Sequence, residues 1–84
     1  MTLRETLLIL SDAYVVASGR TRSTLSTVAF GGGRVLERIE DGGDITTGNF
    51  ERALQWFSDN WPADTAWPDG IDRPVAAAKS EHAA

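Results

Sequence analysis

The sequence predicts a small all-α protein, a bundle of four to five helices followed by an extended C-terminal segment. Three observations lead there. Apolar residues recur at alternating spacings of three and four along much of the chain, the period of one helix face. Threonine stands where three of those stripes begin, and glycine stands where several of them stop. The chain has 84 residues and no cysteine, so one domain fits, and it must rest on helix packing rather than on disulfides or thiolate-bound zinc. Hydrophobic residues at 42% and charged residues at 24% suffice for a core.

The first helix follows from Thr2 and Glu5, whose spacing suits a capping box in which each side chain satisfies the other's backbone donor. Leu3, Leu7, Leu10, Tyr14 and Ala17 form its inward stripe, with Ile9, Ala13 and Val16 widening it, and Gly19 is its natural stop. Thr21 is placed to cap a short second helix with Leu25, Val28 and Ala29 inward. Gly31, Gly32 and Gly33 break the chain, after which Val35, Leu36 and Ile39 resume helical spacing until Gly42 and Gly43. Ile45, Thr46 and Phe50 then occupy the positions of a hydrophobic staple around a cap, and Phe50, Ala53, Leu54 and Phe57, with Trp61, form a fourth buried face. The expected core comprises Leu7, Leu10, Tyr14, Leu25, Val28, Leu36, Ile39, Phe50, Leu54 and Phe57.

After Pro62 the pattern changes to Trp67-Pro68-Asp69-Gly70 and Arg73-Pro74, which is turn and extended chemistry. The expected organisation is a helical domain over 1–62, an extended Trp/Pro segment over 63–74 packing on it, and a flexible tail over 75–84. Trp56, Trp61 and Trp67 either clamp that segment onto the first and fourth helices or form a surface for a partner. A competing fold makes Ser23 to Ile39 a β-hairpin, as its β-branched residues allow. The spacing of Val35, Leu36 and Ile39 does not alternate, however, and an isolated hairpin would leave its edges exposed.

The net charge of −4 is unevenly spread: residues 1–12 carry −1, residues 13–36 carry +3 from Arg20, Arg22 and Arg34, and the remainder carries −6. The basic island also holds Ser18, Thr21, Ser23, Thr24, Ser26 and Thr27, hydroxyls of the kind that reach phosphate oxygens. Catalysis has little material, since the single histidine, His82, lies in the Ala-rich end and no cluster has metal-ligand spacing; no enzyme, metal or cofactor is expected. Asp41 and Asp44 lack the spacing of an EF-hand, and the glycines before Arg34 lack that of a nucleotide loop. The apolar run Leu7 to Leu10 is far too short for a signal or membrane segment, so a cytoplasmic protein is expected.

Residues 21–57 resemble the helix-turn-helix of the lambda-repressor and Cro type, also called the XRE type. Thr21-Arg22 stand for the cap and the polar residue after it, Leu25-Ser26 for the leucine and small residue, and Phe30 to Gly32 for the turn. Arg34 to Ile39 stand for the recognition helix and Gly42 for its end, with the next helix opening at Thr46. Arg22 replaces a frequent glutamine, three glycines replace the usual turn, and a fifth helix is not evident. The resemblance implies a sequence-specific, double-stranded DNA-binding transcriptional regulator acting as a homodimer, without membrane or cofactor. It also implies a DNA site of Arg20, Thr21, Arg22, Ser23, Gly32, Gly33, Arg34, Glu37 and Arg38. Arg20, Arg22 and Ser23 would position the backbone, whereas Arg34, Glu37 and Arg38 would read base edges; Thr46 and Thr47 either cap their helix or add a phosphate contact. The alternative is a helical protein-interaction module without DNA binding, which the net negative charge favours.

Overall fold

The computed structural model describes residues 2–74. Four helices follow one another: α1 (Leu3–Ser18), α2 (Arg22–Phe30), α3 (Val35–Glu40) and α4 (Thr47–Asn60). The fold is all-α, and among the described residues there is no strand, so the segment that could have been a hairpin is a pair of helices. No helix among these residues is long and apolar enough to cross a membrane. The expected tail over 75–84, with Lys79, Glu81 and His82, lies outside the described residues.

Local chemistry sets most of the boundaries. Thr2 and Glu5 form the reciprocal capping box, with the Thr2 N–H donating to Glu5 Oε1 at 2.8 Å and the Glu5 N–H donating to Thr2 Oγ1 at 3.1 Å. Thr21 Oγ1 accepts from the Thr24 N–H at the start of α2, and Thr46 Oγ1 accepts from the Asn49 N–H at the start of α4. Thr46 is therefore a cap in this structure. α1 ends at Gly19 and α2 at Gly31, both left-handed. Gly43 is required for a different reason: its N–H donates to the Arg38 carbonyl at 2.8 Å, and a Cβ there would lie 2.8 Å from that same oxygen.

Leu7, Leu10, Tyr14, Leu25, Leu36, Ile39, Ala53, Phe57 and Trp61 are the buried apolar residues, drawn from all four helices and the end of α4. Phe57 sits at the centre of an aromatic group, edge-on to Tyr14, Phe30, Trp56 and Trp61 at centroid distances of 5.4 to 6.1 Å. Edge-to-face packing aims the positive ring edge at a negative ring face and adds to the apolar burial.

Several expected core positions differ. Val28 is 43% exposed and Val16 85% exposed, and Leu3 and Ile9 are also open. Ala17 is exposed as well, while Phe50 and Leu54 are only partly buried, packed against the core from its edge. The apolar stripes are broader than four short helices can cover. Conversely, Ser11, Ser26 and Ser58 are buried because each hydroxyl has a backbone acceptor within reach, Leu7 O, Gly32 O and Pro74 O respectively.

The chain after α4 folds back along it. Trp67 packs edge-on against Trp61 at 5.0 Å, and its indole N–H donates to the Ile71 carbonyl at 2.7 Å. The Trp61 indole N–H donates to the Thr65 carbonyl at 3.0 Å. Arg73 lies over the Trp67 ring at 5.1 Å and donates to the Ser58 carbonyl at 2.8 Å. Trp61 and Trp67 thus clamp this segment to α4, and Tyr14 of α1 borders the same aromatic group.

Candidate functional site

One buried hydroxyl bonds α2 to both the turn and the first turn of α3. Ser26, buried on α2, donates from Oγ to the Gly32 carbonyl in the turn and accepts from the Leu36 N–H at 3.0 Å. Leu36 belongs to the first turn of α3, where backbone donors have no helical acceptor, and Arg34 at the cap position supplies no side-chain bond. Ser26 therefore caps α3 from a different helix. In the triple glycine only Gly31 is left-handed; a Cβ at Gly33 would meet Thr27 Oγ1 at an ordinary 3.5 Å.

The starts of α2 and α3 open onto a single cleft of about 420 Å³, lined by Arg22, Ser23, Ser26, Gly33, Arg34, Leu36, Glu37 and Glu40. Five of the nine residues expected to touch DNA (Arg22, Ser23, Gly33, Arg34 and Glu37) meet here. Arg34 and Glu37 are exposed on the side of α3 away from buried Leu36 and Ile39. Arg20 is exposed in the connection between α1 and α2, and Thr21 is occupied as the α2 cap, with its hydroxyl also bonded to that of Thr24 at 3.0 Å. Gly32 is half-buried with its carbonyl held by Ser26. Arg38 does not join the cleft; it opens with Arg52, Thr46 and Asn49 onto a second one of about 400 Å³, floored by Phe30, Val35, Ile39 and Ile45. Among the described residues, Arg20, Arg34 and Arg38 make no side-chain hydrogen bond or ion pair.

Arg22 is placed differently from a free surface cation. Its guanidinium is bonded to Asp12 of α1 and, from Nη2 to Oε2 at 2.6 Å, to Glu40 at the end of α3. Partial burial alone would lower its pKa, but the hydrogen bonds to the two carboxylates outweigh that and raise it. One side chain at the start of α2 thereby joins three helices. Sequence reading missed both partners, which lie far along the chain. It placed Ser26 only as the small residue after Leu25 and missed that its hydroxyl caps α3. The other hydroxyls of the basic island are partly engaged too: Thr27 donates to the Ser23 carbonyl, and Ser18 accepts from the Arg20 N–H.

Asp44 is exposed and faces Arg4 at 3.8 Å, while Arg4 also donates to the Gly42 carbonyl at 3.3 Å, which ties the start of α1 to the connection between α3 and α4. Comparison of the chain with protein-family models, with curated proteins and with solved structures finds no match.

Proposed function

We propose that the protein is a sequence-specific, double-stranded DNA-binding protein of the XRE-type helix-turn-helix class, acting as a cytoplasmic transcriptional regulator. The observation that carries this reading is the shared cleft: the first turns of α2 and α3 open side by side, braced by Ser26, with Ser23 and Arg34 accessible in it. A braced helix pair of this kind lays its second helix in the major groove while the first approaches the backbone. A helix with its side chains is about 10–12 Å across, which matches a major groove about 12 Å wide, and the six residues of α3 would lie along it for about 9 Å. Arg34 is the principal reader, with two donors suited to guanine, and Glu37 beside it can accept from cytosine. Arg20 and Ser23 are the backbone contacts. Arg38, on the side of the second cleft, is assigned to the flank of the site. The protein binds as a homodimer on paired half-sites, because one module of this size offers a limited interface.

Selection of duplexes from a random pool, followed by titration of wild type and Arg34→Ala, tests the reading. Enrichment of a defined half-site pair is expected. Arg34→Ala should lose about 1–3 kcal/mol on it and relax the choice at one position in each half-site. A pool that yields no preferred sequence overturns the proposal, and a complex holding one chain per saturated duplex overturns the dimer.

The second reading, a protein-interaction module, is favoured by one observation: Arg22 is already neutralised by Asp12 and Glu40, and Arg38 faces a different cleft from Arg34, so the cations do not form one continuous surface. Failure of the selection experiment would leave that reading in place.

A further inference from the structure

Arg22 occupies the first position of α2 and lines the cleft, where a phosphate contact would be made, yet it already holds two anions. The Asp12 and Glu40 carboxylates come from two other helices and engage separate guanidinium nitrogens. Carboxylate and phosphate oxygens present similar acceptors to an arginine fork. The three side chains are 35%, 67% and 44% exposed, so a competing anion can reach the guanidinium without opening the core. We propose that Asp12 and Glu40 belong to the DNA site as internal stand-ins for phosphate. They hold Arg22 at the cleft in the free protein and yield it to the DNA backbone on binding. This inference rests on the DNA-binding reading given above.

The exchange has a thermodynamic signature. A free arginine that meets a phosphate releases about one condensed counterion, which steepens the salt dependence of binding by about one unit. Arg22 instead leaves two carboxylates, which regain cations from solution, so its contact adds little net release. Asp12 and Glu40 also remain near the phosphate and oppose it. Together they lower affinity and blunt its salt dependence, while aiming Arg22 before DNA arrives.

The test is a cycle of four folded proteins, checked by thermal melting: wild type, the D12N/E40Q pair, R22Q, and the triple variant, each titrated with a selected duplex across several salt concentrations. Freeing Arg22 from two largely exposed pairs should tighten binding roughly three- to thirtyfold at low salt and steepen the salt slope by about one. The gain should vanish in the triple variant. A gain that persists without Arg22 reports only the loss of two negative charges and overturns the proposal, as does unchanged or weaker binding by D12N/E40Q. Should the paired variant fail to fold, the Arg22 Nε–H resonance of wild type decides: it should move on adding duplex. A fixed Arg22 signal alongside shifted Ser23 and Arg34 amides overturns this inference and leaves DNA binding standing. Absence of any binding by wild type overturns the DNA reading itself.

Discussion

Replacing Ser26 by alanine removes one hydroxyl, strips the partner from the Leu36 N–H and leaves the Gly32 carbonyl with the Val35 N–H at 3.3 Å. The Leu36 amide is the costlier loss, since Leu36 is 1% exposed and its N–H lies in the first turn of α3 with no helical acceptor. An unsatisfied buried donor costs about 1–3 kcal/mol, whereas the cavity left by one oxygen adds little. A chain of 84 residues has a total stability of about 4–13 kcal/mol. Ser26→Ala should therefore lower the melting temperature by roughly 5–20 °C. Ser23→Ala, exposed on the same helix, should change it by less than about 3 °C. Amide hydrogen exchange locates the effect: Leu36 should lose protection before Leu7 or Phe57 does. A Leu36 amide as protected in Ser26→Ala as in wild type would refute the idea that this hydroxyl fixes α3 to α2.

Other outcomes follow from the same packing. Leu36→Ala should cost about 2–5 kcal/mol in denaturant unfolding, while Val28→Ala, at a position 43% exposed, should cost under about 1 kcal/mol. Trp67→Ala should detach the segment after α4, read as loss of protection at Thr65 and Ile71 and as a red shift of the remaining tryptophan emission, with α1 and α2 unaffected. The backbone hydrogen bond from Thr2, helped by the Thr2 side chain, holds the Glu5 carboxyl below its ordinary pKa. A depressed carboxylate contributes stability above its unfolded pKa and loses it as pH falls through the folded value. The first turn of α1 should thus loosen only in acid, as pH falls through the depressed Glu5 value, seen in the Thr2 and Glu5 amide shifts; loosening near neutral pH would contradict the cap.

The helices were legible because their signals are local. Thr2 with Glu5, Thr21, Gly19 and the Ile45-Thr46-Phe50 arrangement each act within a few residues, and the structure uses them all as caps, stops or packing. Burial was less legible, since whether a stripe is covered depends on neighbours. Val16 and Val28 continue apolar periodicity on faces that no other helix reaches, whereas Ser26 is buried because α3 crosses over it. At the candidate site, Ser23, Gly33, Arg34 and Glu37, expected from the helix-turn-helix resemblance, line one cleft. The bonds of Arg22 to Asp12 and Glu40 join residues 10 and 18 positions away and have no periodic signature. Clustering of charge along the chain showed a basic island; only the folded arrangement shows that one of its arginines is already occupied.

The central claim is that the cleft between the starts of α2 and α3 is the surface that meets DNA. Amide chemical-shift mapping of the wild-type protein on adding its selected duplex tests it most directly. The expected result is that Arg20, Ser23, Gly33, Arg34 and Glu37 move most, while Trp67 and Ile71 beyond α4 stay in place. Shifts concentrated on those distant positions, or no shift at concentrations that saturate other DNA-binding modules of this size, would contradict it.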